Sequence, residues 1–424
     1  MLNIVFIWFA KVLGWGLRAT GHHGAALPGL IVEKLHPGFL DSMLHQLPEG
    51  VIVVSGTNGK TTTTKIITQL LRSQNRRVLT NKTGGNFVRG IFSTVAQAAS
   101  LSAKLPYDMA VVELDEAYAA RFVRLHRPRV SLVLNVTRDQ LDRFGEIDTT
   151  AKLLQQVVNN TKELIVLNDD DNRAAAMTPP ATARAAYFGI SKNLTAQFPN
   201  DEQLYAQDKP RTLPHKREVE LTKIVDSSAT YKIGDQLYSV NLKMDGQHNA
   251  LNAAAALGVL LGLYPRANTA NLLKILSDIE PAFGRGELID YRGRKLILQL
   301  IKNPASFRQA LHVLDIHQPS VTAIVINDDY ADGRDVSWLW DIDFEALSGV
   351  PKPILTSGVR AYDMALRLKY DQIAPQKVTP DIKQMLDVLE AQTTEGQTAI
   401  IYATYTAMLA VRRVLAKRTR VARV

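Results

Sequence analysis

The stretch VIVVSGTNGKTTTTKI, residues 51–66, places a glycine-containing loop between an apolar run and a helical pattern. Residues 51–54 are a β-branched run typical of a buried parallel strand. From residue 60 to residue 71, apolar residues recur at helical spacing. The sequence therefore predicts a strand, a tight loop and the first turn of a helix. That arrangement is typical of a phosphate-binding site.

The residue types in GTNGKT suit phosphate binding. Gly56 and Gly59 let the backbone approach a phosphate closely, and the helix N-terminus offers unpaired N–H groups and a partial positive charge. We expect Lys60 to reach the terminal phosphates and the Thr61 hydroxyl to bind Mg²⁺. The longer nucleotide-loop pattern has glycine where this chain has Val54. The candidate nucleotide-binding residues of the loop are Gly56, Thr57, Asn58, Gly59, Lys60, Thr61 and Thr62.

The composition indicates a globular protein without thiol chemistry. The chain has 424 residues, of which 46% are hydrophobic, and this length suggests two or three domains. It contains no cysteine, so disulfides, thiolate metal sites and a cysteine nucleophile are excluded. The formal net charge of +9 is compatible with nucleic acid, an anionic membrane or phosphorylated substrates, and does not choose among them.

The first sixteen residues, MLNIVFIWFAKVLGWG, are strongly apolar. They lack a basic n-region and a small-residue cleavage site, and Lys11 interrupts them well short of the roughly 20 residues that span a membrane. The sequence therefore predicts neither a signal peptide nor a membrane span. Two alternatives remain open. Either a helix inserts Phe6, Trp8, Phe9 and Trp15 into a membrane surface, or it packs on the protein's own surface.

Strand-like and helical patterns alternate from about residue 50 to residue 170 and again after residue 291, which predicts an α/β fold with doubly wound parallel sheets. The stretch from about 175 to 240 is polar and contains short β-like pieces, so we expect a small insertion there and not a core layer. The predicted domains are an N-terminal arm (1–45), a central domain (46–290) that contains the insertion, and a C-terminal α/β domain (291–424).

Charged residues follow two of the predicted strands. Glu113 ends the run MAVVE, where a carboxylate beside the phosphate loop is placed to hold Mg²⁺. Asp115 and Glu116, which follow it, are interpreted as helix N-terminal acids. The next strand ends in NVTRDQLDRFGE, and five of its polar residues are expected at the same sheet edge, where we favour a functional role: Asn135, Arg138, Asp139, Asp142 and Arg143.

Several motifs together resemble the Mur ligase superfamily: GTNGKT, the strand-ending Glu113, NVTRDQLDRFG, GQHNALNAAAA from Gly246 and FGRGE at 283–287. Four later segments resemble its MurT branch, the Mur ligase-like subunits of lipid II isoglutaminyl synthases. These segments are KNPASF (302–307), NDDYADGRDVSWLWDIDFE (327–345), SGVRAYDMALRL (357–368) and ATYTAML (403–409). The resemblance runs from about residue 24 to residue 410. It implies a central P-loop ATPase domain with a parallel sheet and a C-terminal Rossmann-like α/β domain.

The resemblance implies an ATP-dependent carbon–nitrogen ligase that uses Mg²⁺. In such enzymes ATP phosphorylates the α-carboxylate of D-glutamate in the stem peptide of lipid II, and ammonia then displaces the phosphate to give D-isoglutamine. The substrate implies a cytoplasmic protein, with a peripheral position at the inner face of the membrane kept open. By the family motifs, His248, Asn249 and Asn252 would lie near the base and ribose, and Arg285 near the phosphates. Helix caps and a satisfied core histidine are the alternatives for the first three.

The resemblance also implies a partner, since this chain has no nucleophilic cysteine with which to hydrolyse glutamine. A GatD-like glutaminase subunit would supply ammonia within a heterodimer, and no nucleic acid is expected. Asp335, or alternatively Asp341, would orient the histidine of the partner's cysteine–histidine pair. Many MurT proteins carry a four-cysteine zinc ribbon that this chain cannot build, so no zinc is expected. Lys152 is the candidate for the carbamylated lysine of classical Mur ligases, with a plain surface lysine as the alternative.

Three other functions stay open at this point. An amino-acid-adding ligase of the folylpolyglutamate or cyanophycin synthetase type would share the nucleotide site and differ in the second domain. A P-loop GTPase would require aspartate at position 84 in the sequence NKTGGN, and this chain has Gly84 there. A nucleic-acid-stimulated ATPase is compatible with the positive net charge and has no other support. A non-catalytic ATP-binding scaffold is disfavoured because Lys60 and Glu113 are both present.

Overall fold

The structure is a computed structural model that describes residues 2–19, 26–81, 87–137, 147–198, 215–244, 246–281, 284–348 and 353–421. The chain divides into two compact units. Within the described ranges, the first unit holds the residues up to Thr137, those from Ile147 to Leu242 and those from Asn249 to Ile279. The second holds 243–248 and the chain from Glu280 onward.

The first unit alternates helices and strands. Its helices are α1 (Leu2–Ala19), α2 (Ala26–Leu35), α3 (Phe39–Leu44), α4 (Lys60–Ser73), α5 (Val88–Ala98), α6 (Glu116–Leu125), α7 (Ile147–Asn159), α8 (Asn172–Ala175), α9 (Gln247–Leu263, in this unit from Asn249) and α10 (Thr269–Ser277). Its strands are β1 (Val51–Ser55), β2 (Val78–Thr80), β3 (Met109–Glu113), β4 (Val130–Val133), β5 (Leu164–Asn168), β6 (Arg184–Ile190), β7 (Val219–Val225), β8 (Ser228–Ile233) and β9 (Gln236–Asn241). A 3₁₀ helix spans Lys192–Gln197.

The nine strands form one sheet in the order β2-β3-β1-β4-β5-β6-β7-β8-β9. The pairs from β2 to β7 are parallel, and β7, β8 and β9 pair antiparallel. The chain leaves β1 toward one side of the sheet for β2 and β3 and returns to the other side for β4. Such a switch of direction opens a crevice at the carboxyl ends of the central strands, where ligands bind in open α/β sheets. The predicted α/β class is confirmed.

The region from about 175 to 240 differs from the prediction of an insertion outside the core layer. Its four described strands, β6 to β9, extend the same sheet as β1. The outer strands alternate buried and solvent-facing residues, so their sequences look polar although Leu221 and Tyr231 are fully buried. That alternation is typical of antiparallel strands with one face in solvent.

The N-terminal helices pack into the first unit instead of forming a separate arm over residues 1–45. Ile7 and Ala10 of α1 and Val32 of α2 are fully buried in one apolar cluster with Phe92 of α5. Phe6 is half-buried and its ring lies 5.3 Å from that of His36. The alternative in which α1 packs on the protein therefore holds for this face of the helix. Within the described ranges, no helix is both long enough and apolar enough to cross a membrane.

The second unit is built on a six-stranded sheet. Its strands are β10 (Arg285–Tyr291), β11 (Arg294–Leu300), β12 (Val321–Val325), β13 (Ile354–Ser357), β14 (Lys377–Thr379) and β15 (Thr398–Ala403). Its helices are α11 (Pro304–Leu311), α12 (Val313–His317), α13 (Glu345–Ser348), α14 (Ala361–Tyr370), α15 (Ile382–Gln392) and α16 (Tyr405–Leu415), with a 3₁₀ helix at Ser337–Asp341. The order is β10-β11-β15-β12-β13-β14, and only the β10–β11 pair is antiparallel.

Both faces of this second sheet are covered by core. Ile297, Ile324 and Ile400 belong to one apolar cluster, whereas their neighbours Leu298 and Val325 belong to the other. Because successive strand residues point to opposite faces, a strand buried on both sides reads as a continuous apolar run such as KLILQLI. The predicted domain boundary at residue 290 lies inside β10, which pairs with β11 and so belongs to this unit.

Candidate active site

The phosphate loop follows the central strand of the first sheet. β1 lies between β3 and β4, with Val54 opposite Glu113 and Ser55 opposite Val133. Because parallel strands end at the same edge of a sheet, the loop at 56–59 lies beside the residues that follow Glu113 and Val133. α4 begins directly after this loop, at Lys60, so the backbone N–H groups of its first turn are at the same edge.

Two glycines give this loop its path. Gly56 has φ = 126° and Gly59 has φ = 87°, values that residues with a side chain rarely adopt. A β-carbon at Gly56 would lie 2.9 Å from the backbone N and O of Asn135, and one at Gly59 would overlap the side-chain oxygen of Asn252. The backbone at both positions is therefore packed against neighbouring elements, with no room for a side chain.

The segment after β4 holds the loop from one side. Asn135 Oδ1 accepts a hydrogen bond from Asn58 N at 2.8 Å, and Asn135 Nδ2 donates to Asn58 O at 3.1 Å. Thr57 Oγ1 donates to Thr137 O at 3.2 Å and accepts from Thr137 N at 3.1 Å. These paired bonds hold the loop through contacts within the chain, and a loop held in this way loses less conformational entropy when a phosphate binds.

Lys60 is buried at the start of α4. Its Nζ donates to the backbone oxygen of Gly56 at 2.6 Å and to that of Thr57 at 3.2 Å, and it lies 3.1 Å from Asp115 Oδ1. The ammonium group is therefore held in the curve of the loop, where phosphate oxygens would meet it. Asp115 directly precedes α6, a position where the sequence alone predicts a helix N-terminal acid. The structure pairs it with the lysine of the loop.

Thr61 and Glu113 lie together at the mouth of the loop, as the sequence predicted for a Mg²⁺ site. Thr61 Oγ1 donates to Glu113 Oε1 at 2.7 Å, and only 5% of Glu113 is exposed. Asn81 fixes the end of β3 by exchanging two 2.9 Å hydrogen bonds with the backbone of Glu113. A hydroxyl and a carboxylate at one point are ligands that Mg²⁺ prefers, so the residues present fit the ion.

Glu116, in the first turn of α6, supports the same conclusion. It is 1% exposed, and neither carboxylate oxygen has a hydrogen-bond partner among the described residues. A buried carboxylate without a donor is costly, and such groups commonly mark the place of an ion or ordered water. Glu116 follows directly after Asp115, the partner of Lys60. A cation or its bound water at this place would satisfy the Glu116 carboxylate.

We expect Glu116→Gln to have opposite effects on the empty chain and on the loaded chain. Replacing a buried carboxylate that has no hydrogen-bond partner among the described residues should raise the unfolding free energy of the ligand-free protein by about 1 kcal/mol. The same change should reduce the extra stability that Mg²⁺ with ADP confers, which thermal unfolding with and without these ligands measures. Glu395→Gln, at an exposed turn, is the matched control. Equal destabilisation in both states would make Glu116 a purely structural residue.

The other predicted nucleotide-binding residues lie in different settings. Thr62 is buried in α4, and Asn249 and Asn252 are buried in α9, 3.5 Å apart between Asn252 Nδ2 and Asn249 Oδ1. Asn252 lies against Gly59, so it contacts the phosphate loop itself, whereas the sequence analysis expected it near the base and ribose. His248 is half-buried beside Gly246.

Several other expectations fall outside the described part of the chain. These are Arg138, Asp139, Asp142 and Arg143, together with the side chain of Arg285, whose backbone begins β10. Lys152 is described and is exposed on α7. That exposure favours a plain surface lysine, although its carbamylation stays a prediction.

The segment DVSWLWD, with the candidates Asp335 and Asp341, lies in the second unit. Asp335 Oδ1 accepts from Ser337 N at 2.8 Å, which holds the start of the 3₁₀ helix. Asp341 is half-buried, and its backbone oxygen accepts from Arg308 Nη1 at 2.7 Å. Between them Trp338 is buried in the core, whereas Trp340 is half exposed. Of the two tryptophans in this segment, Trp340 is therefore the one with exposed aromatic surface.

Arg367 of α14 holds this segment in place from beneath. It is 7% exposed, and its guanidinium donates to the backbone oxygens of Leu339 and Ile342 and, at 2.7 Å, to Asp371 Oδ1. Its guanidinium carbon also lies 5.5 Å from the centre of the Trp340 ring, within the range of a cation–π contact. The sequence alone does not mark Arg367, because its contacts at 339–342 are with residues that are distant in sequence.

Two family models match the chain. The description "Mur ligase middle domain" matches residues 54–260, and "MurT ligase C-terminal" matches residues 300–408. The MurT subunit of lipid II isoglutaminyl synthase (glutamine-hydrolyzing) from Streptococcus pneumoniae is 30% identical over 93% of this chain and 93% of its own length. The chain belongs to the MurT family. The MurT subunit from Staphylococcus aureus strain COL is 31% identical over 87% of each chain.

Solved Mur ligase structures share the fold. MurF of Thermotoga maritima in complex with ADP superposes with a TM-score of 0.70 at 16% identity, over 92% of this chain and 84% of that one. Folylpolyglutamate synthase of Mycobacterium tuberculosis, also in complex with ADP, superposes with a TM-score of 0.63 at 17% identity. The match covers 90% of this chain and 94% of that one. The predicted Mur ligase-like fold is therefore confirmed, and as a MurT-family member the chain is an ATP-dependent ligase.

One further cluster in this MurT-family chain has metal-ligand chemistry. Asp41, His45 and His126 bring one potential ligand atom each within 4.8 Å of the others. His126 Nδ1 lies 2.8 Å from Asp41 Oδ1, and His45 Nδ1 lies 3.2 Å from the same oxygen and 2.8 Å from the backbone oxygen of Asp41. Burial lowers the pKa of His126, against the opposite effect of its hydrogen bond to Asp41. The Nδ1 atoms of both histidines therefore already have hydrogen-bond partners on Asp41.

We expect the purified chain to contain no stoichiometric zinc, because the thiolate ligands of a ribbon site are missing and this cluster is satisfied by hydrogen bonds. Elemental analysis after washing with a chelator measures this directly. One tightly bound zinc per chain would contradict the expectation. Loss of that zinc in His126→Ala, compared with the exposed control His312→Ala, would then assign it to the Asp41 cluster.

Proposed function

We propose that this chain is the synthetase subunit of a lipid II isoglutaminyl synthase in peptidoglycan biosynthesis. The observation that carries the proposal is similarity to MurT subunits across 93% of the chain, combined with a complete phosphate loop. A MurT-type second unit accompanies the nucleotide site, since residues 300–408 match the MurT C-terminal description. This feature favours amidation over addition of an amino acid.

The proposed reaction has two steps. The α-carboxylate of D-glutamate in the stem peptide attacks the γ-phosphorus of ATP, which forms an acyl phosphate and releases ADP. Ammonia then attacks the acyl carbon, phosphate leaves, and loss of a proton gives the amide of D-isoglutamine. The chain's residues position the reactants and neutralise charge, which is the main contribution of proteins to phosphoryl transfer.

Four residues at this sheet edge have proposed roles in the first step. Lys60 and the backbone N–H groups at the start of α4 would hold the β- and γ-phosphate oxygens. Thr61 and Glu113 would hold Mg²⁺, which supplies positive charge against the phosphates. Asp115 is the anionic partner of the Lys60 ammonium within the chain. Binding of phosphate would then exchange one anionic partner of Lys60 for another.

The second step requires a partner. Most ammonia is protonated at neutral pH and so is not nucleophilic, and a chain without cysteine has no thiol with which to release ammonia from glutamine. The MurT relatives are named as subunits of glutamine-hydrolyzing enzymes. We propose a heterodimer with a GatD-like glutaminase subunit, a cytoplasmic location at the inner face of the membrane, and lipid II as the substrate.

The experiment is amidation of lipid II by the chain co-expressed with a candidate glutaminase subunit, with amide-labelled [¹⁵N]glutamine and ATP. Mass spectrometry of the stem peptide should show one labelled nitrogen per glutamate and stoichiometric ADP formation. Omission of the glutaminase should remove the label, and ammonium salts should restore amidation without it. Formation of a peptide bond to an added amino acid, with no amidation, would instead favour the amino-acid-adding ligases.

A further inference from the structure

The helix α1 is apolar on both of its faces, and the first unit covers only one of them. Its inner face packs on the protein through buried Ile7 and Ala10, and Lys11 Nζ donates to the backbone oxygen of Gln97 at 2.7 Å. Asn3 Nδ2 donates to Ser42 Oγ at 2.9 Å. A helix fixed in this way holds its other face in one orientation.

The outer face of α1 consists of six large apolar side chains, each at least 44% exposed: Leu2, Val5, Trp8, Phe9, Val12 and Trp15. At helical spacing these positions lie on the side opposite Asn3, Ile7 and Ala10. A helix that is apolar all round is normally buried on all sides, so this face needs a second apolar partner.

Charge and residue type favour a lipid surface as that partner. The first acidic residue of the chain is Glu33, so residues 1–32 carry only the basic charges of Lys11 and Arg18. Trp and Phe on the apolar face, with basic charge and no carboxylate, are typical of helices that lie in the headgroup region of anionic membranes. The formal net charge of +9 adds attraction to an anionic surface.

We propose that the outer face of α1 inserts into the interfacial region of an anionic membrane and positions the first unit at the surface where its lipid substrate lies. The choice of a membrane as occupant rests on the proposed function, because a lipid substrate must be met at a membrane. α1 then lies parallel to the membrane plane. Its inner face keeps its contacts with α2 and α5.

The first test measures binding of the full-length chain to vesicles, without any other subunit. Vesicles that contain phosphatidylglycerol should sediment the wild-type protein, and pure phosphatidylcholine vesicles should bind it more weakly. Brominated lipids should quench the tryptophan fluorescence of the bound wild-type protein, which tests contact without a substitution. Absence of vesicle binding, or binding without quenching, would overturn the proposal.

A double substitution on the outer face then locates the contact. Trp8→Glu with Trp15→Glu should lower affinity for anionic vesicles by about tenfold or more. The change replaces two aromatic side chains that would insert into the lipid with negative charges that the anionic surface repels. Val225→Glu with Leu237→Glu is the matched control, since both of its positions are exposed on the outer strands and it adds the same charge. Unchanged binding of the outer-face variant would overturn the proposal.

Two further measurements separate the other occupants from a membrane. If light scattering shows a wild-type dimer that the outer-face variant loses, the face is an interface between two copies. If the variant no longer co-purifies with the glutaminase subunit, the face is a subunit interface. Either result in the absence of wild-type vesicle binding overturns the membrane proposal.

Activity measurements distinguish this proposal from the proposed function. With lipid II in vesicles, the outer-face variant should amidate more slowly than the wild type. With a lipid-free stem-peptide substrate, both proteins should have equal rates. Vesicle binding by a chain that amidates neither substrate would leave the membrane inference standing and contradict the proposed function. Equal rates on both substrates, with vesicle binding lost, would show that the membrane contact has no part in catalysis.

Discussion

Lys60→Ala is expected to lower ATP-dependent turnover by about 100-fold to 1000-fold, the range found when a single charged or hydrogen-bonding contact to a reacting group is removed. Lys60 is the cation that the structure places within the curve of the phosphate loop, 2.6 Å from the Gly56 oxygen. Alanine leaves the loop's amides and the Thr61–Glu113 pair in place. The substitution should therefore affect phosphate binding and transfer more than the architecture of the site.

The same substitution has a predictable effect on stability. Asp115 would lose the partner 3.1 Å away, and two backbone oxygens would lose a donor, so the unfolding free energy should fall by about 1–3 kcal/mol. Lys223→Ala, at an exposed position on β7, is the control for loss of a lysine without loss of a site. The measurements are thermal unfolding and ADP release. An active Lys60→Ala protein would place the nucleotide site elsewhere.

Local sequence is sufficient to predict the phosphate loop. Gly56 and Gly59 have positive φ angles, and Lys60 is the first residue of the helix that follows them. The geometry of a phosphate site therefore depends on only a few consecutive residues. The pairing of Thr61 with Glu113 spans 52 residues, and its prediction depended on the rule that parallel strands end at one sheet edge. The two side chains meet because β3 is a direct neighbour of β1.

Contacts between residues that are distant in sequence could not be predicted from local sequence. Asp115 looked like an ordinary helix N-terminal acid, because nothing local distinguishes such a residue from one that meets a lysine across the sheet edge. The outer strands β7 to β9 were predicted to be an insertion because many of their residues face solvent, which makes their sequences polar. Arg367 was missed because the residues it holds, at 339–342, become its neighbours only after folding.

The role of Asp335 yields the second large expected effect. In the structure Asp335 Oδ1 accepts one hydrogen bond, from Ser337 N, and asparagine can accept the same bond through its own oxygen. Asp335→Asn should therefore keep the local fold and remove only the negative charge. Asp341→Asn is the matched comparison, because it lies at the other end of the same 3₁₀ helix and holds Arg308 through its backbone oxygen.

We expect Asp335→Asn to retain ATP binding and to reduce glutamine-dependent amidation by about 100-fold or more, since a cysteine–histidine pair needs a third group to fix the histidine's tautomer, and the charge of Asp335 would serve that role. The defect lies in making ammonia, so ammonium salts should recover amidation in this variant and should not recover it in Lys60→Ala. The assay is lipid II amidation by each mutant complex with either nitrogen source. If Asp341→Asn fails with glutamine and Asp335→Asn does not, Asp341 is the partner-facing aspartate. Normal glutamine use by both variants would show that this chain contributes no carboxylate to the glutaminase site.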